Sequence, residues 1–177
     1  MIKKTVFLEV RSKSSRLPYK CLLPVGGLET VLLLLNRIKS KKYQTIVVTT
    51  KDESDDYLCK LLKKKNFSFY RGSVNDVYSR YIDCAKNLKL NSKDIIVRTT
   101  GDNLFLNEKF ILQIINEFNK TNKEFLQIDR MNSKLPYGMG AQVFTFNLIK
   151  LLKPTYKNDP EHVTLQIERK KNCVTEQ

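Results

Sequence analysis

Short apolar runs alternate with amphipathic stretches along almost the whole chain. Residues 5–10, 45–50, 68–70, 94–99, 125–129 and 142–146 are rich in β-branched and aromatic side chains and bounded by polar turn residues, which predicts strands. Between them, residues 29–40, 54–65, 75–88 and 108–119 space apolar side chains three and four apart, which predicts helices, and a shorter helix is predicted over 148–152. Strands that alternate with helices in this way build a mainly parallel sheet covered by helices on both faces. No Pro/Gly/Ser-rich stretch divides the chain, so one domain over residues 1–177 is expected, with a core large enough to fold alone.

In such sheets, ligands bind beyond the carboxyl ends of the strands, so the residues that follow each strand carry the functional signal. After the first strand comes RSKSSRLPYKCLLPVGG, residues 11–27. Arg11, Arg16 and Lys20 sit there among small hydroxyl residues that include Ser12 and Ser14. Guanidinium forks and an ammonium neutralise phosphates, and small residues let backbone N–H groups approach phosphate oxygens, so the loop suits a polyphosphate. It also reads as an ordinary basic surface loop. The loop lacks the G-x-x-x-x-G-K-[ST] of a P-loop and the G-x-G-x-x-G of a dinucleotide site.

Three further strand ends are polar. The acids Asp52, Glu53, Asp55 and Asp56 follow the second strand and read first as helix N-terminal residues favoured by the macrodipole. Arg71, Gly72 and Ser73 follow the third: Gly72 and Ser73 allow close approach to a base, with Arg71 and Ser73 as hydrogen-bonding partners. Alternatively, Ser73 or Asn75 caps a helix while Arg71 faces solvent. The fourth strand ends in Gly101-Asp102, which is either a turn or a carboxylate able to hold a hard divalent cation against phosphate oxygens.

Charge and cysteine usage narrow the class only a little. Lys+Arg of 32 against Asp+Glu of 18 gives +14, which favours anionic partners. The lysines are spread through every segment and no nucleic-acid motif accompanies them, so no specific nucleic-acid partner is expected. Cys21, Cys59, Cys84 and Cys173 form no C-x-x-C pair, which suits reduced thiols in a cytoplasmic protein. The longest apolar run, residues 31–35, is far short of a membrane span, and the first residues do not form a secretory signal.

Several of these segments together carry a resemblance. Arg11-x-x-Ser14-x-Arg16-Leu17-Pro18-x-Lys20 with Leu23-Pro24-x-x-Gly27 resembles the A-R-x-G-S-x-R-L-P-x-K signature of cytidylyltransferases, in the SpsF-like branch related to CMP-Kdo and CMP-sialate synthetases. Lys13 stands at the usual Gly and Val10 at the usual Ala; Lys13 adds a fourth cation. Arg71-Gly72-Ser73 through Arg80-Tyr81 is similar to the family's R-G-S-x-x-D-V-L-x-R-Y, and Arg98-Thr99-Thr100-Gly101-Asp102 to R-x-T-G-D.

The resemblance implies a Rossmann-like three-layer domain of the nucleotide-diphospho-sugar transferase type and CTP-dependent activation of an acidic sugar or small phosphorylated acid for surface polysaccharide. Pyrophosphate would be released. Arg11, Ser14, Arg16 and Lys20 would hold the triphosphate, Arg71 and Ser73 the base, and Asp102 a Mg²⁺ ion, with Arg11, Lys20 and Asp102 closest to the chemistry. In the segment 136–144, Gly140 and Gln142 occupy the family's two acidic positions, which leaves Gln142 a neutral acceptor-binding role. His162, in a D-x-E-H-V-T-like segment, is assigned to acceptor binding or subunit contact. Similar enzymes are commonly homodimers and continue past this point, so the domain is expected to be C-terminally short for the family. The acid-depleted segment leaves open an alternative, a degenerate nucleotide-binding relative or partner subunit.

Overall fold

The computed structural model describes residues 1–14, 16–128, 134–152 and 163–164, together with the backbone of 174–176. In chain order the elements are β1 (Lys4–Glu9), a short hairpin of β2 (Pro24–Val25) and β3 (Leu28–Glu29), α1 (Thr30–Arg37), β4 (Gln44–Thr50) and α2 (Asp56–Lys64). They continue with β5 (Phe69–Gly72), α3 (Val77–Asn87), β6 (Ile95–Thr100), α4 (Glu108–Lys120), β7 (Phe125–Ile128), β8 (Gln142–Thr145), α5 (Phe146–Leu151) and β9 (Val174–Glu176). Single 3-10 turns at Lys20–Leu22 and Glu53–Asp55 precede the hairpin and α2.

Among the described residues the main sheet has seven strands in the order β5-β4-β1-β6-β8-β7-β9. β5, β4, β1 and β6 are parallel neighbours, β8 runs antiparallel between β6 and β7, and β9 joins β7 in parallel. The expectation of a mainly parallel Rossmann-like sheet therefore holds. The β2–β3 hairpin and β9 have no counterpart in the predicted elements. Gly26 and Gly27 make the hairpin turn at φ 61° and 81°, a left-handed pair that glycine adopts without steric cost.

The three layers follow from the two-residue period of the strands. Val6 and Leu8 of β1, Val47 of β4, Ile95 and Val97 of β6 and Val143 of β8 face the core shared with α1, α2 and α4. The intervening Phe7, Ile46, Val48, Ile96 and Phe144 face the second core, under α3 and α5. Leu34 of α1, Leu58 and Leu62 of α2, and Tyr81 and Cys84 of α3 are all fully buried.

Side-chain caps fix where the helices begin. Asp76 accepts from Ser79 N–H at 2.7 Å, Asn107 from Phe110 N–H at 2.9 Å and Thr145 from Leu148 N–H at 3.2 Å. The Thr145 cap starts α5 at Phe146, two residues before the predicted helix, and so ends β8 at Thr145, one residue before the predicted end of that strand. No helix among the described residues is long and apolar enough to cross a membrane.

Candidate functional site

Because β1, β4, β5 and β6 are parallel, the segments after Glu9, Thr50, Gly72 and Thr100 emerge along one edge of the sheet. The edge is sewn together by backbone bonds from Gly101 N–H to Glu9 O at 3.0 Å and from Lys51 N–H to Gly72 O at 2.9 Å. A cleft of about 210 Å³ opens there, lined by Arg11, Ser14, Arg16, Lys20 and Asp102 together with the Thr100–Gly101 backbone corner. Residues that lie 91 apart in sequence thus share one wall.

Lys20 Nζ lies 2.6 Å from Asp102 Oδ1, with the side chains 35% and 56% exposed. The group suited to a phosphate and the group suited to a metal are therefore each other's partner in the ligand-free protein. The remaining cations of the cleft, Arg11 and Arg16, are exposed. Lys13 departs from the sequence reading: it does not join this cluster but pairs with Asp52 at 2.9 Å outside the cleft. Hydrogen bonds from Ser54 and Lys13 pull the Asp52 carboxyl down to about 2.

The acids after β4 also divide in an unforeseen way. Asp52 caps the turn by accepting from Ser54 N–H at 3.0 Å, as a helix-start acid should. Asp55 does not face solvent: it is 1% exposed, and its Oδ1 accepts from Ser12 N–H at 2.6 Å. Its Oδ2 accepts from Thr50 N–H at 3.2 Å and from the Thr50 hydroxyl. A buried carboxylate thus grips the first loop, a role no local pattern announces.

Arg71 and Ser73 do not line the cleft. The Arg71 guanidinium donates to Thr50 O and Asp52 O, each at 2.9 Å, and pairs with Asp56 at 2.7 Å. Ser73 Oγ accepts from Asp76 N–H at 3.1 Å, so Ser73 does help start α3. The Ser73 and Val74 carbonyls accept from the buried Arg80 at 2.9 and 3.2 Å. His162 lies outside the described residues.

Two cavities adjoin the cleft. One of about 290 Å³ shares Thr100 and Asp102 with it and is walled by Leu135, Tyr137, Met139 and Gly140. The other, about 310 Å³, is lined by Arg98, Thr99, Asn103, Gln127, Gly140 and Gln142. Gly140 is fixed between them: its N–H donates to Asn103 Oδ1 at 2.8 Å and its carbonyl accepts from Thr99 Oγ1 at 3.0 Å.

Arg98 supplies the floor. It donates to Gln142 Oε1 at 2.9 Å and pairs with Glu9 at 3.1 Å, while Tyr81 OH donates to the same Glu9 oxygen at 3.3 Å. Gln142 Nε2 in turn donates to Gln127 Oε1 at 2.6 Å. Burial works against the Arg98 charge, but Tyr81 and Glu9 outweigh it and hold the pKa above the ordinary value. Arg98, Glu9 and Gln127 escape recognition as site residues in the sequence, although an arginine inside the apolar run Ile95-Ile96-Val97-Arg98 is the available signal.

Among the described residues no group of three His, Cys, Asp or Glu side chains is placed to hold a metal. Asp102, half-exposed in the cleft, still fits Mg²⁺, which is commonly bound by one or two carboxylates plus substrate phosphates.

A strand-edge cleft in which Arg11, Arg16 and Lys20 converge beside the Lys20-paired Asp102 is the arrangement of a nucleotide-handling α/β protein. A family model for cytidylyltransferases matches residues 5–172, and the chain belongs to that family of nucleotidyltransferase enzymes. It is 32% identical over 171 residues to the uncharacterized protein MJ1063 of Methanocaldococcus jannaschii, covering 93% of this chain and 67% of that protein. It is 29% identical over 172 residues to the spore coat polysaccharide biosynthesis protein SpsF of Bacillus subtilis, covering 90% and 68%. A cytidylyltransferase structure from Leptospira borgpetersenii superposes with a TM-score of 0.87 at 28% identity, covering all of this chain and 77% of the other. A CMP-2-keto-3-deoxy-manno-octonic acid synthetase solved with CTP shares the fold at a TM-score of 0.68 and 12% identity, over 94% and 84% of the two chains.

Proposed function

We propose that the protein is a cytoplasmic enzyme that transfers a cytidylyl group from CTP to an acidic sugar or small phosphorylated acid for surface polysaccharide, releasing pyrophosphate. The observation that carries this is the convergence of Arg11, Ser14, Arg16, Lys20 and Asp102 on one cleft that shares wall residues with two further cavities. The relative named for spore coat polysaccharide biosynthesis and the fold neighbour solved with CTP support the nucleotide and the pathway class.

In this reading the triphosphate lies against the 11–20 loop and the acceptor enters from the Gly140 side. Arg11 and Arg16 hold the outer phosphates through their forks, and Lys20 leaves Asp102 to sit on the phosphate oxygens. An acceptor oxygen attacks the α-phosphorus as the bond to the bridging oxygen breaks. Pyrophosphate departs with that electron pair, and the acceptor's proton passes to water. The protein's contribution is alignment and fixed positive charge where negative charge develops. Asp102 is the residue that would hold Mg²⁺, whose chemistry there is neutralisation of charge between triphosphate and acceptor.

Incubation with CTP, Mg²⁺ and a panel of acidic sugars and phosphorylated acids should release pyrophosphate with at least one acceptor. Asp102→Asn should lower that rate by about a hundredfold or more, a typical loss when transition-state charge stabilisation is removed. Absence of both CTP binding and pyrophosphate would refute the reading. A second reading, a nucleotide-binding relative without turnover, draws on Gly140 and Gln142, which bring no carboxylate to the cavities beside Asp102. CTP binding with no pyrophosphate from any acceptor would favour it.

A further inference from the structure

The turn that follows β4 is tied to the first loop and to the end of β5, yet Asp55 and its neighbours do not line the cleft. On the phosphate side, Asp55 accepts from Ser12 N–H at 2.6 Å, and the Ser12 carbonyl accepts from Tyr19 N–H at 2.8 Å. Both backbone polar groups of Ser12 are therefore fixed, and with them the paths to Arg11 on one side and Ser14 on the other. The Thr50 N–H and hydroxyl on the second Asp55 oxygen lock that carboxylate to the end of β4. On the opposite side, Arg71 of β5 binds the same turn at Thr50 O, Asp52 O and Asp56, which joins it to the end of that strand.

We propose that Asp55 is a positioning residue that pre-shapes the 11–20 loop for a nucleoside triphosphate, with the Thr50–Asp56 turn bracing that loop against Arg71 at the end of β5. The proposal rests on the reading of the cleft as a triphosphate site. A loop already held in its bound shape spares the ligand the ordering cost, so loss of the brace weakens only those ligands that use the loop. Asp55→Asn keeps the side-chain volume but replaces an acceptor oxygen with an NH₂ group that faces donors.

The test measures dissociation constants for CTP and CMP by calorimetry, with thermal midpoints beside them. CMP carries the base, the ribose and one phosphate, and so lacks the outer phosphates that engage the loop. Asp55→Asn should weaken CTP about tenfold, the factor expected for one charge-assisted hydrogen bond, and CMP by less than about twofold. Thr50→Val, which removes the Thr50 hydroxyl donor and preserves a β-branched strand residue, should weaken CTP about threefold and likewise spare CMP. If Asp55→Asn does not fold, Thr50→Val decides, together with slow hydrogen exchange at the Ser12 amide of the unaltered protein.

An unchanged ratio of CMP to CTP affinity in a variant whose midpoint falls would overturn the positioning role and leave Asp55 purely structural. Fast exchange at the Ser12 amide would do the same. If the unaltered protein gained no affinity from the two outer phosphates, the triphosphate reading itself would fall, and the brace with it.

Discussion

Gly72 ends β5 where α3 passes behind the strand, and replacing it with alanine tests how closely the two are packed. A Cβ at this position would lie 2.6 Å from Arg80 Cγ, 3.1 Å from Tyr70 Cε1 and 3.2 Å from Arg80 Cβ. Arg80 has no room to retreat, because it is 1% exposed and its guanidinium is committed to the Ser73 and Val74 carbonyls. Either the helix and strand move apart or those two hydrogen bonds break. Overpacking of this kind costs about 1–3 kcal/mol, against a gain of at most about 1 kcal/mol from stiffening the unfolded chain. Taken at the middle of both ranges the net is a destabilisation of about 1 kcal/mol, which for a domain of this length lowers the thermal midpoint by roughly 2–4 °C. Differential scanning calorimetry reads the shift directly. A midpoint within 1 °C of the unaltered protein, or above it, would refute the claim that the Gly72–Arg80 contact leaves no space for a side chain.

Other outcomes follow from the same geometry. Arg98→Met leaves Glu9, 20% exposed at its side chain, with Tyr81 as its remaining partner among those described; urea denaturation should show a loss of about 2–4 kcal/mol. A loss below about 1 kcal/mol would mean that water replaces the guanidinium. Burial raises the Cys84 thiol to about 12, so at pH 8.5 Cys84 should resist iodoacetamide in the folded protein and react after unfolding, as peptide mass mapping would show. With a folded pKa above the unfolded one, the Cys84 contribution to stability is complete below about pH 8.5 and is lost as pH rises towards 12. A denaturation midpoint that stays flat across that window would contradict this.

The order and kind of most elements were legible in the chain because each follows from a local period. Alternating residues such as Val6, Phe7 and Leu8 must send successive side chains to opposite faces, and a single strand carries that information. The phosphate-suited loop was legible for a similar reason, since Arg11, Arg16 and Lys20 are close in sequence. The antiparallel insertion of β8 between β6 and β7 was not, because pairing direction depends on the path of the intervening chain.

The site beyond the first loop belongs to the tertiary structure. Asp52 and Asp55 look alike as acids at the start of a helix, yet one caps the turn and the other is buried against Ser12, which lies 43 residues earlier. Lys13 looks like Lys20 in the same loop, yet one pairs with Asp52 away from the cleft and the other meets Asp102 inside it. Arg71 presents a free fork in the sequence and a fully engaged brace in the fold. The chain by itself determined which groups were available and which strand ends would carry them. Only the packing of distant strand ends decided which charges stay free for a ligand, because an ion pair or hydrogen bond acts over a few ångströms of space and is blind to separation along the chain.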